Sequence, residues 1–93
     1  MASKWSARLG ESSHSIALTV GIPRERLVLH LISNADWEPL DLELPQTDNP
    51  WHRWIDTALE SPFDIVQWET SESILGHTYR AEARSVVMLF TRF

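Results

Sequence analysis

The residues in this sequence that could do chemistry are its carboxylates, four histidines and five tryptophans. Asp41 and Glu43 alternate with leucines in the stretch LDLEL, so in an extended strand both lie on one face. Hydrolysis of a glycosidic bond needs two facing carboxylates, one of them acting as general acid. The alternation favours a simpler interpretation, in which both charges face solvent and protect a strand. We therefore predict no catalytic residue.

The four histidines, His14, His30, His52 and His77, are too far apart to form a local zinc motif, and the chain has no cysteine. His14 lies among serines in SSHS. A Ser–His nucleophile also needs an orienting group and an oxyanion hole, and the G-x-S-x-G motif is absent from the sequence. The three glycines form no phosphate-binding loop. We therefore expect no metal ion and no cofactor.

Five tryptophans in 93 residues are an unusually large share. A flat indole ring can pack in a core, anchor an interface or stack on a sugar. The candidate residues for an interface or a sugar contact are Trp37, Trp51 and Trp54. Trp37 lies in the turn SNADWEP, where Asn34 and Asp36 can bond their own backbone and Pro39 stiffens the chain. Its ring could cap the core, fill a groove on a neighbouring domain or bind sugar.

Short alternating or apolar runs separated by turn signals dominate the rest of the chain, which indicates β-strands. The predicted strands cover residues 14–20, 26–33, 40–44, 51–56, 77–81 and 85–93. Segment 57–76 is less regular, with one helical turn that Asp56 could cap and Pro62 could end. The pattern predicts an all-β fold, a small antiparallel β-sandwich of Greek-key type with about seven strands.

Two predicted strands, 26–33 and 85–93, are apolar on both faces, although a sandwich sheet normally has one polar face. The outer face is then covered either by the protein's own termini and segment 57–76, or by a neighbouring domain. We expect a core built from one set of alternating residues or from their facing neighbours. That set is Leu27, Leu29, Leu31, Leu42, Val86 and Met88.

Length and charge exclude several classes of protein. Ninety-three residues make one domain with a modest core. The net charge is −5 and the basic residues are scattered, so we expect no nucleic-acid partner. No apolar run approaches the roughly 18 residues of a membrane helix, and the N-terminal residues do not resemble a signal peptide. The lack of cysteine fits a reducing compartment.

Four stretches, in order, carry a family resemblance: SHSIAL, ISNADWEPLDLELP, WHRWIDTALESPFDI and TYRAEARSVVMLF. Together they resemble the C-terminal domain of bacterial glycogen-debranching enzymes and plant-type isoamylases, in the α-amylase superfamily. The similarity runs from about residue 13 to residue 89. In that family this domain is a small β-sandwich packed against a (β/α)8 barrel, which holds the catalytic carboxylates. No residue of this chain corresponds to them.

The resemblance implies a lead-in over residues 1–12 and a sandwich domain over residues 13–93. It also implies a non-catalytic accessory domain that stabilises the barrel of the same chain, in an enzyme that hydrolyses α-1,6 branches. The expected location is the bacterial cytoplasm, or a plastid for a plant protein. One alternative is a carbohydrate-binding module that holds α-glucan through exposed tryptophans. Another is a free-standing immunoglobulin-like interaction domain.

Overall fold

The structure, a computed structural model, describes the backbone of residues 5–9 and all of residues 14–93. Nearly all of its regular structure is β-strand, which confirms the predicted all-β class. The strands are β1 (Trp5–Leu9), β2 (Ser15–Ile22), β3 (Leu27–Asn34), β4 (Leu40–Glu43), β5 (His52–Asp56), β6 (Thr78–Ala81) and β7 (Ser85–Arg92). Two short 3-10 helices, Pro23–Glu25 and Trp68–Thr70, complete the elements. None of the helices described is long or apolar enough to cross a membrane.

The strands form two antiparallel sheets. The larger sheet has the order β1-β2-β3-β7-β5, and the smaller sheet pairs β4 with β6. From β3 onward, every connection along the chain passes from one sheet to the other. The two sheets therefore enclose a core to which sequentially distant segments contribute.

The N-terminal segment contributes more than the lead-in expected for residues 1–12. The backbone of β1 pairs with β2 from Trp5 opposite Val20 to Leu9 opposite Ile16. The larger sheet therefore includes β1, which lies within the segment expected as a lead-in. The stretch WSARL does alternate with period two, but it is only five residues long and is flanked by small and polar residues.

The core cluster lies between the two sheets and is built mainly from the neighbours of the residues named first, although Leu27 of the named set is also buried, at 6% exposure. Ile32, Val87 and Leu89 are fully buried there. Leu44, Trp51 and Ala81 complete the buried cluster, with Leu42 packed against it. Consecutive side chains of a strand point to opposite faces, so Leu29, Leu31, Val86 and Met88 lie on the other side of the sheet. The alternation could not decide between the two sets because both are apolar.

Segment 57–76 folds back along β5. A hydrogen bond from Leu59 N to Asp56 O closes a turn, and the Asp56 carboxylate accepts a second from Ala58 N. The predicted helical turn is thus a single hydrogen-bonded turn with Asp56 at its start. Farther on, bridges join Ile55 to Ile65 and His52 to Ser73. These contacts cover the free edge of β5, which would otherwise offer unpaired backbone groups to other chains.

Candidate interaction surface

The main feature of the surface is an apolar sheet face. We call outer face the side of the larger sheet that points away from β4 and β6. Two rows of apolar side chains cross it, because Leu18 pairs with Leu31 and Leu31 with Met88, while Val20 pairs with Leu29 and Leu29 with Phe90. In the neighbouring row, on either side of Ser33, Ile16 is 48% exposed and Val86 is 40% exposed. The rest, apart from Phe90, are half-buried. Contiguous apolar surface of this kind is typical of interaction sites.

An aromatic cluster covers the β5 side of the outer face. The Trp68 ring stacks on Phe90 with 4.3 Å between centroids, and His52 also stacks on Phe90 at 5.3 Å. Trp54 meets the edge of Trp68 at 5.1 Å. A register shift in β5 between Arg53 and Ile55 places Trp54 at the irregular point of the strand. Phe90 is only 5% exposed as a result, so the apolar face ends here against the protein's own side chains.

Trp51 is not available for the interface or glucan contact considered from the sequence. Its ring is 4% exposed and belongs to the core cluster. The indole Nε1 donates a 2.9 Å hydrogen bond to the carbonyl of Pro45, and the ring centroid lies 5.6 Å from that of His30. Trp51 immediately precedes β5, where alternation directs it inward. Its role is packing between the sheets.

Trp37 does not cap the core, which was the simplest of the three roles considered for it. Its side chain is 78% exposed, the second most exposed large apolar residue among those described. The Arg84 guanidinium lies over the ring at 4.4 Å from its centroid, a cation–π contact. The two roles that remain are an anchor for another domain and a platform for sugar.

A buried asparagine holds the turn that carries Trp37. Asn34, at the end of β3, is 1% exposed, and its Nδ2 lies 2.9–3.2 Å from the carbonyls of Glu38, Ala81 and Glu82. Its Oδ1 accepts from the backbone N–H of Asp36. The Asp36 carboxylate in turn accepts from the N–H of Trp37, and Arg84 N donates to Asp36 O. The expectation that Asn34 and Asp36 bond the local backbone is confirmed.

The acidic pair on β4 faces solvent. Asp41 and Glu43 are exposed, and Asp41 lies opposite Arg80 of β6, with 3.9 Å between Oδ1 and a guanidinium nitrogen. Both side chains are exposed to water on the smaller sheet. The arrangement matches the solubilising role predicted for the pair.

Histidines and acidic groups stay dispersed across the part of the chain that the structure describes. His14 and His77 are exposed, His52 lies in the aromatic cluster, and His30 is buried between the sheets. Thr19 Oγ1 lies 2.8 Å from His30 Nδ1. Within residues 14–93, no three His, Asp or Glu side chains come together as a group that could hold a metal ion.

An open cavity of about 460 Å³ lies between the sheets next to His30. The described residues that line it are Ala17, Leu42, Leu44 and Pro45, together with Thr19, His30 and a single acidic residue, Glu43. Hydrolysis of a glycosidic bond needs two carboxyl groups about 5–10 Å apart. The cavity therefore lacks the residues for the chemistry that the acidic pair on β4 suggested.

Comparisons with protein-family models and with curated proteins find no match to this sequence. The likeness to debranching-enzyme terminal domains therefore rests on the four sequence stretches alone.

Three residues of this surface carry no recognisable signal in the sequence. Trp68 lies in an irregular segment, and its stacking on Phe90 joins residues far apart in the chain. Arg84 precedes β7 in a left-handed conformation, with φ of 56°, that no neighbouring glycine or asparagine announces. Nothing in the sequence around Arg92 distinguishes it from an ordinary surface arginine. By contrast, the two-faced apolar strands did indicate in the sequence that the outer face is apolar and needs a cover.

Proposed function

We propose that this chain is a non-catalytic accessory domain of an α-1,6-glucan debranching enzyme. It would stabilise the (β/α)8 barrel of the same polypeptide by packing on it through the outer face. The observation that carries the proposal is the apolar outer face itself. The family resemblance supports the identity of the partner, because its terminal domain packs against such a barrel. The corresponding location is the bacterial cytoplasm, or a plastid if the source is a plant.

The dispersal of the acidic groups supports a non-catalytic role. Asp41 and Glu43 are exposed, and Glu43 is the one acidic residue among the described residues that line the inter-sheet cavity. The apolar rows of β2, β3 and β7 offer a broad, continuous contact area instead. Burying one leucine side chain against a partner contributes about 1.5–3 kcal/mol, so a few such residues are enough to fix a domain in place.

The proposal is tested by mixing the barrel and this domain as two separate polypeptides. The DNA upstream of this sequence should encode a barrel with acid and nucleophile carboxylates, and that barrel is expressed without this domain. Addition of the 93-residue chain should raise the barrel's melting temperature. Leu31→Gln removes an apolar side chain from the middle of the outer face and should weaken association about tenfold, which is about 1.4 kcal/mol.

The matched control is Leu75→Gln, since Leu75 is 89% exposed but lies outside the outer face, in segment 57–76. This variant should bind as the unchanged chain does. Equal affinity of all three chains would show that the outer face is not the contact. The absence of any upstream barrel would overturn the proposal as a whole.

The alternative is a carbohydrate-binding module, which the exposure of Trp37 favours. One face of its indole is already occupied by Arg84, and Trp51 is buried, so a pair of tryptophans for successive glucose units is lacking at this position. Titration with maltoheptaose, followed by tryptophan fluorescence, should give weak or undetectable binding. Saturation at micromolar ligand that disappears in Trp37→Ala would establish the alternative.

A further inference from the structure

Three arginines stack on aromatic rings around the outer face. Their guanidinium carbons lie 4.4–5.6 Å from the ring centroids. The pairs are Arg84 with Trp37, Arg26 with Phe93 and Arg92 with Trp68. Stacking holds the guanidinium plane in place while its N–H groups remain available at the edge. Trp and Arg are also the residues most enriched at the energetic centres of protein interfaces.

These pairs lie at the two ends of one strand ladder. The β3–β7 pairing closes at one end with Asn34 opposite Ser85, next to Trp37 and Arg84. It closes at the other with Leu27 opposite Arg92, next to Arg26 and Phe93. Each strand contributes eight residues, so the ends are roughly 23 Å apart. The apolar rows cross the strands in the middle of this ladder. Positive charges therefore lie beyond the rows at both ends of the strands.

The three arginines form no salt bridge within residues 14–93. The described acidic residues that do pair with arginine use Arg53 or Arg80 instead. The chain carries 13 acidic residues and a net charge of −5, so carboxylates are abundant elsewhere on it. Among the described residues, no carboxylate is paired with the positive charge at the ends of the outer face.

We infer that the outer face binds an apolar surface edged by carboxylates, with acidic groups facing Arg84 at one end and Arg26 and Arg92 at the other. The inference rests on the proposed function in placing that surface on the catalytic barrel of the same polypeptide. A second copy of this chain fits poorly. Packing two outer faces together in either direction would set guanidinium groups against guanidinium groups, and like charges across an interface cost several kcal/mol.

The test uses charge reversal in the same assay with two separate polypeptides. Arg84→Glu and Arg26→Glu should each weaken association with the barrel at least about tenfold at low salt, about 1.4 kcal/mol. Both positions have left-handed backbone, with φ of 56° and 53°, and glutamate suffers the same strain there as arginine. The control is Arg80→Glu, the same change of charge on the smaller sheet, which should alter affinity less than about twofold. Far-ultraviolet circular dichroism checks that each variant is folded.

Salt dependence and a pair of synthetic peptides complete the test. Affinity of the unchanged chain for the barrel should fall as NaCl is raised, and that of Arg84→Glu should fall less. For the second measurement, two amphipathic helical peptides are synthesised with the same apolar face. One carries glutamates beside that face and the other carries lysines. The 93-residue chain should prefer the glutamate peptide by about tenfold at low salt, with the preference lost at high salt.

The outcomes separate the two proposals. If Leu31→Gln weakens association with the barrel while both charge reversals leave it unchanged, the proposed function stands. The inference that partner carboxylates face the three arginines is then overturned. If the barrel does not associate but the glutamate peptide is preferred, the inference about partner carboxylates stands and the proposed function fails. Equal binding of the two peptides, or self-association of the chain through the outer face, would contradict the inference.

Discussion

The phenol of Tyr79 on β6 donates a 2.5 Å hydrogen bond to the carboxylate of Asp56 on β5, and so links the two sheets. Asp56 is 5% exposed and also accepts the N–H of Ala58. Burial, and next the hydrogen bond and charge of Asp56, raise the pKa of Tyr79 far above its ordinary value of 10.0. The phenol is therefore held in its neutral, donating form.

Tyr79→Phe removes this hydrogen bond and leaves a buried carboxylate with one partner fewer. We expect a loss of about 1.5–3 kcal/mol in the free energy of unfolding near neutral pH, the usual range for a hydrogen bond to a charged group. Urea denaturation monitored by tryptophan fluorescence measures it. A variant as stable as the original chain would contradict a structural role for the link.

Alkaline pH should weaken the same link. Because the folded-state pKa of Tyr79 is raised, its contribution is complete below the unfolded value of 10.0 and is lost as the pH rises above that value. Stability should fall in this range for the original chain and less steeply for Tyr79→Phe. Tyr79 is the only tyrosine in the sequence, so phenolate absorbance reports its ionisation directly. A titration midpoint at the ordinary value would refute the prediction.

The two tryptophans at opposite extremes of exposure should respond differently to truncation. Trp51→Ala should cost about 3–5 kcal/mol, because it empties a large part of the core. Trp37→Ala should cost less than about 1 kcal/mol, the value of an exposed cation–π contact. Thermal and urea unfolding of the two variants side by side provides the measurement. Comparable losses in both would mean that Trp37 supports the fold itself.

Removing the Asn34 side chain should lower the free energy of unfolding more than removing an exposed amide of the same size. Asn34→Ala leaves the backbone groups that it bonds without their partner, which should cost about 1–3 kcal/mol. Asn49→Ala is the matched control, since the Asn49 amide donates to Arg92 O in an exposed hydrogen bond and should cost well under 1 kcal/mol, about the worth of a surface contact. Hydrogen exchange should also quicken around Trp37 in Asn34→Ala alone. Similar costs in the two variants would argue against a special role for Asn34.

The isolated chain should release no reducing ends from amylopectin. The carboxylates of Asp41 and Glu43 are exposed on one face of β4. Asp41→Asn and Glu43→Gln should therefore leave the background rate unchanged. Activity that survives purification and disappears in either variant would be the opposite result.

The strands could be predicted because alternation with period two is strong where one face is buried and the other polar, as in LDLEL. The inner face of β3 and β7 could not be predicted from the sequence. Leu29 and Ile32 are equally apolar, and only the packing of β4 and β6 distinguishes them. Trp37 illustrates the remaining limit. Its rigid turn follows from Asn34 and Asp36, but its contact with Arg84, which lies 47 residues farther along the chain, does not.

The position of β7 has a consequence for how the chain acquires its fold. This strand is the last in chain order, yet it lies between β3 and β5 in the middle of the larger sheet. During synthesis, β3 and β5 emerge first and have no partner to join them until β7 leaves the ribosome. Pairing across such a long sequence separation is slow, because the entropy of closing the intervening chain must be overcome first. Nascent chains that stall before Ser85 would therefore leave one edge of β3 and one edge of β5 unpaired, which makes them targets for chaperones and prone to aggregation.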